Sequence, residues 1–369
     1  MKKRKLWLFS KHGNDTGDNA FTFFKYIRRK HPEIRCVYVA DKSYPKEYQE
    51  AQAVGEVVQF RSLRHKLLFF TADRIITSHV GDSEPWDYEK VIEWRQKHPQ
   101  WVRKHKIIHL QHGVIDKNVS HIYDSSLRPV DLFICSSVAE AEYAKKTLHY
   151  DDVHIACTGL ARFDELIGTE PHKRILLIPR YRREVMVQLP ENKVKLKYHF
   201  MKSVYYRQYQ SLLENEKLIS MLEANEYELI FYPHYEVQPL NGCFYVKSRN
   251  IIIANRESMK LDQLLRDCAL MITDYSSVAF DFAYMFKPII YYQFDKEDFK
   301  CEYGGSYFDH EKDGFGPVVN DEEQVVKLIE AFIRGDFDRN GIYKNRCRKT
   351  FLYRDGNNCK RIYEAISNI

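Results

Sequence analysis

The chain has 369 residues, of which 44% are hydrophobic and 14% aromatic. That is enough apolar material for two cores of ordinary size, and it excludes a disordered chain. The formal net charge of +6 is a mild excess, which favours anionic partners without selecting among phosphates, nucleic acid and lipid headgroups.

In chain order, short apolar runs alternate with amphipathic ones. Lys5–Phe9 reads as a strand, and "DNAFTFFKYIRRKHP" as a helix with Phe21, Phe24 and Ile27 on one face. Strand candidates follow at Arg35–Ala40, Val57–Phe60, Arg74–Ser78, Lys106–Gln111, Asp131–Ser137 and Val153–Gly159. The rhythm restarts at Arg174–Pro179. A basic, aromatic-rich segment runs from Arg180 to about Leu222, before strands at Tyr227–His234, Phe244–Ser248, Ile251–Ala254, Leu270–Asp274 and Pro288–Tyr292. Strands separated by helices predict parallel sheets covered on both faces, so the fold class expected is α/β with two Rossmann-like halves meeting near residues 160–172.

No stretch approaches the roughly 18 apolar residues of a membrane span, and the basic start carries too few apolar residues after it for a signal-peptide core. The eight cysteines form no Cys-x-x-Cys pair and no zinc-like spacing with histidine. Several lie in apolar runs, which fits buried thiols in a reduced, cytosolic setting.

Ligands of such sheets bind beyond the carboxyl ends of the strands, and polar groups cluster there. "HLQHGVIDK" places His112 and Gly113 after a strand. A histidine there suits general-base work; a loop histidine that only packs is the plain alternative. "LIPRYRRE" places Arg180, Arg182 and Arg183 after another strand, where guanidinium groups would hold phosphate oxygens or stand as a solvated basic loop. "FYPHYE" places His234 likewise. In "ITDYSSVAFDFAYMFKP", Asp274 ends a strand and Ser276 and Ser277 open a helix whose N–H groups suit a phosphate, beyond ordinary capping. There is no Gly-x-Gly-x-x-Gly and no Walker pattern, so nicotinamide and nucleoside-triphosphate readings lose their main support.

With these residues in place, the chain resembles the CDP-glycerol glycerophosphotransferase family of teichoic acid primases and polymerases. "QHGVIDK" is similar to the family's His-Gly-Thr-Pro-x-Lys, which carries the catalytic histidine onto His112 and includes Lys117. "TGLARFDEL", with Arg162 and Asp164, "LIPRYRRE", "FYPHYE", "ITDYSSVAFDFAYMFKPIIYYQFD" with Asp281, "GGSYFD", "GPVV" and "FLYRDGNNCKRI" follow in the family's order. Val114, Ile115 and Asp116 replace the usual Thr-Pro, and Tyr232 and Tyr235 stand where Lys and Pro are common.

The resemblance implies a GT-B fold of two Rossmann-like domains facing a cleft: residues 1–165 on the acceptor side, 166–350 on the nucleotide-donor side, and a C-terminal helix, 351–369, crossing back. It implies transfer of glycerol phosphate from CDP-glycerol to a hydroxyl of a polyprenyl-diphosphate-linked acceptor, with release of CMP, in cell-wall polymer synthesis. His112 and His234 are the catalytic pair it implies. Arg180, Arg182, Asp274, Ser276 and Ser277 are the donor-phosphate set; Gly113, Lys117, Arg162, Asp164 and Asp281 support them. No metal-ligand cluster and no cofactor motif is visible. The protein is expected at the inner face of the cell membrane, as a homo-oligomer or alone, without nucleic acid. Two basic stretches with tryptophan or tyrosine, Val91–Ile107 and Lys193–Arg207, have the composition of interfacial segments or of solvated helices. Two other readings stay open: a related transferase using CDP-ribitol or a nucleotide sugar, and a non-catalytic module binding anionic lipid or nucleic acid.

Overall fold

The structure is a computed structural model. It describes residues 5–11, 16–79, 81, 84–87, 90, 93, 97–98, 105–168, 170–182, 193–303 and 306–369, without the side chains of 193–195 and 301–303. The contacts divide it into two compact units. One comprises Met1–Ile167 with Thr350–Ile369; the other is Gly168–Lys349.

Among the described residues, the first unit holds a seven-stranded parallel sheet. Its strands are β1 (Leu6–Ser10), β2 (Arg35–Ala40), β3 (Glu56–Gln59), β4 (Arg74–Thr77), β5 (Lys106–His109), β6 (Leu132–Cys135) and β7 (Ile155–Cys157), in the order β3-β2-β1-β4-β5-β6-β7. The order reverses between β1 and β4, the switch point at which doubly wound sheets open a crevice. Strands buried on both faces read as apolar runs rather than alternating ones; all five residues of β1 are buried.

The helix Asn19–Lys30 begins at Asp18, whose carboxylate accepts from the N–H groups of Ala20 and Phe21. It buries Phe23, Phe24 and Ile27 against Phe9, Ile76 and Ile108. The last helix, Asn358–Ser367, adds Cys359, Ile362 and Ile366 to that core. Gly159 lies beside it with φ +81°, where a Cβ would meet the Asn358 side chain at 2.3 Å, so both backbone and space require glycine.

In the second unit β8 (Arg174–Leu177), β9 (Glu228–Phe231), β10 (Ile251–Ile253), β11 (Leu270–Thr273), β12 (Ile289–Tyr292) and β13 (Val318–Val319) form a six-stranded parallel sheet, ordered β10-β9-β8-β11-β12-β13. The switch point falls between β8 and β11. The basic segment expected after β8 becomes three helices, Lys193–Lys202, Val204–Glu214 and Glu216–Asn225. Their Phe200, Tyr205, Tyr209, Leu212 and Leu222 pack on Leu177, Phe231 and Ile272 of the sheet.

One strand expectation fails. Phe244–Ser248 is not in the sheet, because β10 already occupies the edge beside β9. The backbone at Tyr245 pairs with a side chain instead: its N–H donates to Gln210 Oε1 at 3.0 Å, and its carbonyl accepts from Gln210 Nε2 at 2.9 Å. β13, too short to show a pattern of its own, was not foreseen as a strand. Most of Val91–Ile107, with Trp94 and Trp101, lies outside the described residues, as does Arg183. Among the described residues no helix is long and apolar enough to cross a membrane.

Candidate active site

In the first unit, chemistry-bearing residues gather beyond β4 and β5. Gln111 is a non-glycine residue at φ +62°, a conformation that costs on the order of 1 kcal/mol or more unless its surroundings impose it. Here they do. Its side-chain amide donates to the Ile134 carbonyl at 2.6 Å, and its own carbonyl accepts from Asn19 Nδ2 at 2.7 Å.

The turn presents His112 at the surface, exposed, with its carbonyl held by the Arg162 guanidinium. Arg162 is fixed in turn by its N–H on Asn19 Oδ1 at 3.0 Å. Val114 and Ile115 are buried. The Ile115 N–H donates to Glu140 Oε1 at 2.7 Å, while Glu140 Oε2 takes the N–H and hydroxyl of Ser136 at 2.6 and 2.8 Å. Burial pushes the Glu140 carboxyl above its ordinary pKa, against the pull of those donors. Asp116 and Lys117 form a buried ion pair at 2.5 Å. Asp164, expected as a supporting residue, caps the C-terminal helix, accepting from the N–H groups of Asn358 and Cys359 at 2.9 and 2.8 Å.

Two groups that sequence reasoning missed lie here, His79 beside His112 and Tyr123 beside His79. The ring of His79 lies 4.7 Å from the His112 ring, and the Tyr123 hydroxyl is 3.4 Å from His79 Nδ1. The signal was available: His79 ends the run "RIITSH" one strand before His112, and β4 and β5 are hydrogen-bonded neighbours.

In the second unit, residues after β8, β9 and β11 converge. Asp274 is wholly buried. Its Oδ1 accepts from the N–H groups of Arg180 and Tyr275 at 2.9 and 2.6 Å. Its Oδ2 accepts from Arg182 Nη1 at 2.7 Å and the Tyr209 hydroxyl at 3.3 Å. Arg182 also gives Nε and Nη2 to the two oxygens of Asp295, at 2.5 and 3.1 Å. Burial opposes the charge on Arg182, but Asp274, with help from Asp295, more than offsets it and raises the pKa well above the ordinary range.

Arg182 and Asp274, both expected in the donor-phosphate set, bind each other here. The guanidinium is committed to two carboxylates, and Asp274 is an anion, so the pair anchors the loop that carries Arg180. Asp295 was missed; it follows β12 in "YYQFD", in the same strand-end position as the others.

Arg180 is half-buried, its guanidinium lying over the rings of Tyr181 and Phe299 at 5.0 and 5.8 Å. His234 packs on Tyr181 at 4.7 Å, and its Nδ1 accepts from the Glu236 N–H at 3.3 Å. Burial, and then the Arg180 charge, lower its pKa to about 4. The neutral ring thus carries its hydrogen on Nε2.

The hydroxyls of Ser276 and Ser277 are half-buried and make no hydrogen bond among the described residues. Ser277 has helical φ and ψ and does not cap the helix Val278–Tyr284 with its side chain. That helix has seven residues, so its dipole is modest and the hydroxyls and N–H groups matter more. Asp281 is buried within it.

Each unit carries its own set of groups at strand ends, and among the described residues no cluster of three or more His, Cys, Asp or Glu side chains is placed to hold a metal ion. A sequence model of CDP-Glycerol:Poly(glycerophosphate) glycerophosphotransferase matches residues 1–368. The minor teichoic acid biosynthesis protein GgaB of Bacillus subtilis (strain 168) is 30% identical over 374 residues, covering 99% of this chain and 40% of that protein. The teichoic acid poly(glycerol phosphate) polymerase of the same strain is 24% identical, covering 91% of this chain and 45% of its own length. The chain thus spans less than half the length of either relative.

A solved structure of the wall teichoic acid polymerase TagF superposes with a TM-score of 0.71 at 15% identity, covering 99% of this chain and 89% of that one. A UDP-N-acetylglucosamine 2-epimerase gives 0.57 at 12%, covering 99% and 96%. These likenesses show a GT-B fold, and the match along the sequence shows that the chain belongs to the CDP-glycerol:poly(glycerophosphate) glycerophosphotransferase family.

Proposed function

We propose that the chain transfers glycerol phosphate from CDP-glycerol to a hydroxyl of a polyprenyl-diphosphate-linked acceptor, releasing CMP, in teichoic acid or related polymer synthesis. The observation that carries this is the set of donors after β8, β9 and β11. The Nε2–H of His234 and the hydroxyls of Ser276 and Ser277 are offered to a ligand beside the Arg180 guanidinium, while the nearby anions Asp274 and Asp295 share the positive charge of Arg182. Such a surface fits a diphosphate. TagF has been crystallised with CDPG, which supports the same donor here.

The roles divide by unit. In the first, His112 takes the proton of the acceptor hydroxyl. The oxygen forms a bond to the glycerol-bearing phosphorus as the bond from that phosphorus to CMP breaks. In the second, Arg180, His234 and the two serines hold the diphosphate and the charge that passes to CMP. His112 is exposed, as a base awaiting a large acceptor must be. A lipid-linked acceptor places the reaction at the inner membrane surface. The exposed Tyr198, Met201 and Val204, beside the exposed Lys197 and Lys202, support contact with an anionic bilayer there.

Incubation with CDP-glycerol and a polyprenyl-diphosphate-linked disaccharide should release CMP and extend the acceptor by glycerol phosphate, read by mass spectrometry. Release with CDP-ribitol and none with CDP-glycerol would replace this donor by the other. No release from either, with binding to vesicles intact, would favour the non-catalytic module.

A further inference from the structure

We propose that His79 is a positioning residue for His112, backed by Tyr123; this rests on His112 being the base. The backbone of His79 is locked. The buried hydroxyl of Thr77 donates to its carbonyl at 2.6 Å and accepts from its N–H at 3.1 Å. Thr77 pairs with His109 across β4 and β5, so His79 and His112, two and three residues further along their chains, emerge side by side.

The His79 ring covers that of His112, with centroids 4.7 Å apart and planes tilted by 33°. Tyr123 holds Nδ1 of His79 from behind, and its own ring rests on His109 at 5.1 Å, which rests on Phe133 at 4.9 Å. His109 and Phe133 are buried, so a row of rings runs from the core to the exposed imidazole.

An exposed histidine on a loop samples several rotamers unless its neighbours restrict it. A base must lie within hydrogen-bond reach of its proton, and misplacement by about 1 Å costs on the order of 100-fold. A ring packed at a tilt beside His112 restricts the imidazole.

The test uses the full chain, CDP-glycerol and the lipid-linked disaccharide, with kcat and KM measured for His79→Ala, His79→Phe, His79→Gln, Tyr123→Phe and His112→Ala. His79→Ala should lower kcat about 10- to 100-fold with the donor KM unchanged. Tyr123→Phe should lower it less. Phe at position 79, which keeps the ring face, should recover more activity than Gln, which keeps only polarity. Thermal unfolding of each variant separates loss of fold from loss of placement, and the Phe variant decides the matter if Ala unfolds. An inactive His112→Ala beside a normal His79→Ala overturns this inference alone. Rescue by Gln and not by Phe also overturns it. An active His112→Ala overturns both this inference and the reading of the base.

Discussion

Arg182 donates to Asp274 at 2.7 Å with 5% of the arginine side chain and none of the aspartate side chain exposed. The pair ties the loop after β8 to the loop after β11 across the switch point. Removing Asp274 leaves Arg182 paired with Asp295 but takes the acceptor from the buried Tyr275 N–H and Tyr209 hydroxyl, at about 1–3 kcal/mol for each. Asp274→Ala should therefore lower unfolding stability by that amount in a denaturant titration, together with donor affinity. Unchanged stability would mean that the pair is not the anchor.

Ser276 and Ser277 offer the opposite case. Their hydroxyls cap nothing, so the double change to Ala should leave stability within about 0.5 kcal/mol. The KM for CDP-glycerol should rise about tenfold or more, because each lost hydrogen bond to a charged oxygen is worth about 1.5 kcal/mol or more. A normal KM would remove the serines from the donor site.

His112→Asn should cut kcat by about 10²–10⁴-fold, the range for loss of a general base, and leave the unfolding temperature near wild type because the side chain is exposed. A rate loss matched by loss of fold would place the histidine in the scaffold instead.

Acid should weaken the fold through histidines kept neutral by burial. The pKa of His234 is lowered to about 4 and that of His109 to about 3, from 6.5. Below pH 6.5 the unfolded chain takes up protons that the folded chain refuses. Stability is therefore whole above about pH 6.5 and is lost as pH falls towards 4 and then 3, by up to about 3 kcal/mol for His234. Chemical denaturation from pH 7.5 to 4 should show a slope that His234→Gln makes shallower. An identical slope in that variant would show that His234 titrates normally.

Asp164 accepts from two N–H groups at the start of the last helix. Asp164→Ala should cost about 1–2 kcal/mol, seen as earlier hydrogen exchange of residues 358–366, with little effect on donor binding.

The sequence by itself determined most of the framework. Apolar runs of four to six residues between amphipathic helices can be buried only as central parallel strands, and they announced both sheets. The histidines, arginines and serines at the ends of those runs were legible because parallel strands put all their carboxyl ends on one edge. Tertiary structure alone decided what each group does there. Arg180 and Arg182 look alike in "PRYRR", yet one lies over aromatic rings and the other is spent on Asp274 and Asp295, since that depends on which loops the strand order makes neighbours. His79 became visible only when β4 was set beside β5. Phe244–Ser248 has a strand's composition, but the edge it would need was already taken. Composition and pattern act locally and fix what a segment can form; the pairing of charges and rings depends on strand order, which brings together residues far apart in the chain.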